Sequence, residues 1–109
     1  MSDLNPATVV KANAVMSAFN IAAGQLTADK NGLNFLKATG PGYISIDWSG
    51  VKKISVQVIL GVYWRGIYVE TNQGEFQFIT TKTRELVRTI SKYIDDDKIV
   101  RRKAPWERK

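Results

Sequence analysis

The 109-residue sequence contains no cysteine and no histidine. Without cysteine there are no disulfides, no thiolate metal ligands and no thiol nucleophile. Without histidine as well, a transition-metal site loses its usual ligands. A Ser-His-Asp triad cannot be assembled, and no side chain is left for a phosphohistidine or phosphocysteine relay. Glycine-rich phosphate loops are missing too: Gly40-Pro41-Gly42 and Gly61 fit neither a dinucleotide fingerprint nor a P-loop. Asp47, Glu70, Glu75 and Glu85 come from different predicted elements, and no spacing pairs them as acid and base. Nor are aromatic and basic residues interleaved as an RNA-binding sheet needs. The longest apolar stretch, Val58 to Trp64, is too short to cross a bilayer. The opening Met1 to Pro6 lacks the positive n-region and apolar core of a signal peptide. The expectation is a soluble, cytoplasmic, non-enzymatic protein with no cofactor and no metal.

What is present is an ordinary globular composition, 44% hydrophobic and 24% charged, in one domain's length. The net charge of +6 is unevenly spread. Residues 98–109 hold six basic side chains and one acid, or +5, while the other 97 residues hold ten basic and nine acidic, or +1. The predicted division is therefore a nearly neutral domain over residues 1–97 and a basic tail over 98–109. A nucleic-acid-binding domain more often carries its charge as a patch on the fold itself.

The patterning centres on Val51 to Ile94. Ile54, Val56, Val58 and Leu60 alternate with Ser55 and Gln57, the period of a half-buried strand. Ile67 to Thr71 and Glu75 to Thr80 flank Asn72-Gln73-Gly74 and read as a hairpin. From Thr83 the period changes: Leu86, Val87, Ile90, Tyr93 and Ile94 share one face of a helix predicted over roughly Lys82 to Ile94. Thr80 or Thr81 is its candidate N-cap. Asp95-Asp96-Asp97 opposes the helix dipole and reads as a solvated stop. Upstream, Gly24 to Ala28 and Leu33 to Leu36 are strands around the Asn31-Gly32 reversal. Ile44, Ile46 and Trp48 alternate in another strand. The Ala-rich stretch Ala7 to Ala23 is divided by pattern alone between an edge strand and a short helix. Lys52 and Lys53 read as a solvated strand edge.

Three runs carry a family resemblance: Gly24 to Phe35, Ile44-Ser-Ile-Asp-Trp-Ser-Gly-Val51, and Phe76-Gln-Phe78 followed by Glu85 to Asp97 with Ile99-Val-Arg101. Together they resemble small bacterial proteins of unknown function encoded beside mannose-class phosphotransferase permeases, often labelled mannose-operon regulators. The likeness runs from about Val9 to Arg101, and none of its motifs is catalytic. It implies a mainly β, pleckstrin-homology-like fold: an antiparallel barrel or sandwich of about seven strands capped by a C-terminal helix. It also implies that Val9 to Met16 is the first strand.

The candidate contact residues fall in two groups. Tyr63, Trp64 and Arg65 have interface composition, although an aromatic there also suits the mouth of a small barrel. Arg102, Lys103, Trp106, Arg108 and Lys109 lie in the basic tail, where Trp106 either docks back or anchors a partner. The expected role is an accessory or regulatory binding module whose partner is a mannose-class permease or its cytoplasmic subunits, with peripheral membrane association through the tail. The alternative is a nucleic-acid-binding regulator using the same tail, whose binding would be salt-sensitive and non-specific. A different use of the tail is also open: Ile99 and Val100 can add a strand edge, with the charges solvated.

Overall fold

The computed structural model describes residues 7–17 and 20–103. Eight strands form one sheet in the order β4-β3-β2-β1-β7-β6-β5-β8. An antiparallel meander, β1 (Thr8–Ser17), β2 (Asn20–Asp29), β3 (Gly32–Lys37) and β4 (Tyr43–Ile46), makes one half. A second meander, β5 (Val51–Ile59), β6 (Tyr63–Thr71) and β7 (Gly74–Ile79), makes the other. The halves join where Asn13–Val15 of β1 pair with Gln77–Ile79 of β7. The chain then forms α1 (Thr83–Ile90) and a 3-10 turn at Asp96–Lys98, and returns as β8 (Ile99–Lys103), parallel to β5. The described residues are thus mainly β with one α-helix, and they form eight strands where about seven were expected. The sheet does not close into a barrel: β4 and β8 remain its two ends.

Period-two alternation explains the strands. In β1, Val10, Ala12 and Ala14 are buried while Val9, Lys11 and Asn13 face out, so the Ala-rich stretch is a strand, as the resemblance implied. Its local helix propensity is weak beside ladders to both β2 and β7. Helix α1 rests on β1, β2 and β6, where Ala12, Ala14 and Ala28 are small enough to admit it. Leu86 and Ile90 are fully buried on its sheet-facing side, as their spacing predicts.

The helix is shorter than predicted. Regular helix ends at Ile90, after which bonds of the i+3 type, from Lys92 N–H to Thr89 O and from Tyr93 N–H to Ile90 O, precede a final i+4 bond from Ile94 N–H to Ile90 O. The apolar period nevertheless continues through Tyr93 and Ile94, which are half-buried. The cap also differs from expectation. Lys82 is the N-cap residue and makes no side-chain cap bond. The Thr80 hydroxyl instead accepts from Lys82 N–H at 3.1 Å and donates to Lys11 O at 2.7 Å, tying the helix entry to β1.

Strand β5 is more deeply buried than a half-buried strand should be. Ser55 and Gln57, expected on a solvated face, are 3% and 2% exposed. One reason is β8, which lies alongside and sets Arg102 opposite Gln57. Residues 99–103, grouped by charge with the tail, are therefore part of the sheet. A register shift at Lys52 lets Val51 reach the core along with Ile54, Val56 and Val58, and a second shift, at Arg65, lies on β6. Leu60, expected to continue that row, lies beyond the strand end in the turn.

Candidate binding surface

The two ends of the β5–β6 pair differ in chemistry. At the end where β5 begins, the aromatic pair Trp48 and Tyr93 stacks with ring centroids 5.4 Å apart and planes at 8°. The Trp48 indole N–H donates to Asp29 O at 2.7 Å, bringing the β2–β3 turn to the same place. Trp48 thus covers the core, although it sits in a 3-10 turn (Trp48–Gly50) and does not close strand β4. Asp47 lies beside the β6–β7 turn, lining a small pocket with Asn72 and Gln73. Glu70 and Glu75 pair across the same turn. Asp95, Asp96 and Asp97 are exposed just before β8 starts opposite Ile54.

At the other end, the β5–β6 turn, the entry to α1 and the outer faces of β1, β2 and β3 converge. They enclose a cleft of about 770 Å³ lined by Lys11, Asn13, Gln25, Lys37, Tyr63 and Thr81, among others. Gly24 also lines it, and a Cβ there would collide with the Leu36 carbonyl oxygen and the Phe35 ring. The cleft's lining contains two lysines and no carboxylate. Neither lysine is in an ion pair: among the described residues the ion pairs are Lys82–Glu85, at 3.8 Å, and Arg102–Glu75, at 3.0 Å. Its size falls within the usual range for ligand sites, and its lining mixes apolar walls with a few convergent polar groups. It suits an anionic or acidic group flanked by apolar contacts.

Of the candidate residues, Tyr63 is exposed and lines this cleft. Trp64 is half-buried and packs on the core. The Arg84 guanidinium carbon lies 4.3 Å and that of Arg101 5.5 Å from the Trp64 ring centroid. Trp64 thus covers the core at the end of an open sheet, with cation–π contacts added. Arg65 occupies the bulge and donates to Gln57 Oε1 at 3.4 Å on the far face of the sheet. The tripeptide is therefore not one contact surface. A bulge inside a strand sends its members to three environments.

Arg102 is engaged within the fold. Its guanidinium lies 4.0 Å from the Tyr68 ring centroid, pairs with Glu75 at 3.0 Å and reaches Ser55 Oγ at 3.4 Å. The backbone of Lys103 ends β8 opposite Val58, at the cleft end. Trp106, Arg108 and Lys109 lie outside the described residues. Sequence reasoning missed Lys11, Lys37, Arg84 and Arg101 as neighbours of this end. Each sits in an ordinary strand or helix with no local signal, and only strand pairing brings them near Tyr63 and Trp64.

No group of three or more carboxylates among the described residues is placed to hold a metal ion. No helix among them is long and apolar enough to cross a membrane. Fold and surface together define a small, mainly β domain with a cation-lined cleft at one end. The chain belongs to a family described as a domain of unknown function (DUF956), whose model matches residues 3–108. It is similar in fold to the C-terminal domain of an unknown protein from Leishmania infantum, at TM-score 0.67 and 16% identity over 79% of this chain and 80% of that one. It is also similar to a chain of the Spt16D Pob3N heterodimer, at TM-score 0.65 and 12% identity over 94% of this chain and 56% of the other. No curated protein matches it.

Proposed function

We propose that this chain is a non-enzymatic accessory or regulatory binding module of a mannose-class sugar phosphotransferase system, with a pleckstrin-homology-like fold and a cytoplasmic location. The observation that carries a binding role is the cleft beside Tyr63, which gathers Lys11 and Lys37 with no carboxylate in its lining. The link to the sugar system rests on the sequence resemblance described above. The partner in this reading is a permease or one of its cytoplasmic subunits, offering an acidic segment to the cleft. With neither histidine nor cysteine in the chain, binding without phosphoryl relay is the role left to it in that system.

The test is affinity capture from native membranes and cytosol with the full chain, with a chain ending at Lys103, and with Lys11→Glu/Lys37→Glu. The truncation begins after Lys103 because deleting from Arg102 would remove the Glu75 and Tyr68 contacts. Permease subunits should be retained by the full chain and lost with the double lysine variant. Equal capture by both would refute the cleft as the contact. Stoichiometric acid-labile label after incubation with the system's phosphodonor proteins would refute the non-enzymatic reading.

A further inference from the structure

The β5–β6 turn is built in a way the fold alone does not require. Val62 N–H donates to Ile59 O at 3.1 Å, and both residues between them have positive φ, Leu60 at 55° and Gly61 at 74°. Such a turn favours Asn, Asp or Gly at both central positions. A leucine there pays a steric penalty of about 1 kcal/mol, since its Cβ crowds the following carbonyl oxygen. The side chains here are nonetheless open to solvent: Leu60 is 76% exposed, Val62 70% and Tyr63 48%. The turn is thus an aliphatic tip held outward.

Cations surround this tip. Arg84 donates to Val62 O at 3.2 Å and lies, with Arg101, against Trp64. Lys37 shares the cleft with Tyr63. No acidic residue occurs between Asp47 and Glu70 in the sequence. Apart from Glu85, which pairs with Lys82, the carboxylates of the described residues belong to the opposite end or to the strands leading from it. Carboxylates are thus sparse at this end, where Leu60, Val62 and Tyr63 are exposed.

We propose that the Leu60–Tyr63 tip docks on an anionic lipid surface, with Leu60 and Val62 entering the acyl boundary and Arg84, Arg101 and Lys37 facing the headgroups. A protruding aliphatic turn suits a soft interface, whereas a protein partner would have to supply a matching pocket. An amphipathic aromatic such as Tyr63 sits well at headgroup level, and each nearby cation adds attraction that falls off within a Debye length of about 8 Å at physiological salt. The contact borders the cleft and shares Lys37 and Tyr63 with it, but it needs no protein partner, so vesicle binding and permease capture can fail independently.

The experiment is co-sedimentation of the full chain with vesicles of phosphatidylcholine alone and of phosphatidylcholine mixed with phosphatidylglycerol. Three variants are compared: Leu60→Gly/Val62→Ser, Lys37→Gln/Arg84→Gln, and Lys52→Gln/Lys53→Gln. Leu60→Gly suits the positive φ, so the first variant keeps the fold, and its melting curve verifies this. The last two remove the same charge at opposite ends. The expected result is binding to the anionic vesicles only, weakened about tenfold or more by the first two variants and little changed by the third. Absence of binding to anionic vesicles overturns the proposal. So does indifference to Leu60→Gly/Val62→Ser, or equal loss with both charge variants, which would mean that net charge alone is sensed.

Discussion

The two ends of the β5–β6 hairpin are built from the same two strands and have opposite characters. At the end where β5 begins, the large side chains are satisfied internally: Trp48 stacks on Tyr93 and donates to Asp29 O. The charges there are mostly carboxylates, including Asp47, Glu70, Glu75 and Asp95–Asp97. At the turn end, aliphatic residues are exposed, arginines lie over Trp64, and the cleft holds cations without counter-charges. A domain optimised only for stability would have no reason to differ in this way. The first end reads as a closure of the core, and the second as a surface kept available at some cost.

The strongest way to break this contrast is to remove what both ends share. Leu86 is fully buried under the sheet, and Leu86→Ala should cost about 2–5 kcal/mol. Urea unfolding should show the loss, and a change in midpoint corresponding to under 1 kcal/mol would mean α1 is not the plug of this fold.

A smaller effect separates the ends themselves. Trp48→Ala removes the Tyr93 stack and the bond to Asp29 O, and should cost about 2–3 kcal/mol for a partly buried indole. Hydrogen exchange should rise first around the β2–β3 turn. Vesicle binding at the other end should persist once the variant is assayed below its melting transition. Parallel loss of binding would show that the two ends are not independent.

Leu60→Gly sharpens the contrast from the other side, because it should stabilise. Relief of the left-handed conformation is worth about 1 kcal/mol, less the greater entropy that glycine gives the unfolded chain. A lower melting temperature would mean that the Leu60 side chain supports the turn, and the reading of an aliphatic tip kept outward would fail. Smallest of all is Glu75→Gln, which breaks the half-exposed ion pair to Arg102. Such pairs contribute about 1 kcal/mol or less. The change in midpoint should shrink further at high salt, and an effect above about 2 kcal/mol would identify β8 docking as a main source of stability.

Much of the architecture is legible in the residues. Asn31-Gly32 and Asn72 to Gly74 mark two of the hairpins found, and the Leu86–Ile90 spacing marks the buried helix face. Less legible is anything set by pairing at a distance. Asn20 to Ala23 belongs to the stretch that pattern leaves divided between strand and helix, and it extends β2 because β1 supplies a partner along its whole length. Ile99–Lys103 is short and basic, and its place beside β5 depends on a parallel crossover through α1. The site is less legible still. Tyr63, Trp64 and Arg65 are adjacent in sequence, but the bulge at Arg65 parts them. Lys11 and Lys37, far apart in sequence, meet in one cleft.

The sequence by itself determined the mainly β class, the helix from Thr83, the core-facing alternation of Ile54, Val56 and Val58, and the chemistry that lacks its side chains. These follow from local period and composition, which do not depend on what the chain later meets. It also determined a net charge near zero over residues 1–97, and that figure concealed the arrangement. A sum of charges has no direction. Only the register of β5 against β6 and β8, with the placement of α1 over β1, β2 and β6, decided that Arg84 and Arg101 meet Trp64 beside the exposed Leu60 and Val62 while most carboxylates lie at the other end. The physical reason is that cross-strand pairing fixes positions between residues far apart in sequence, and no local pattern records it.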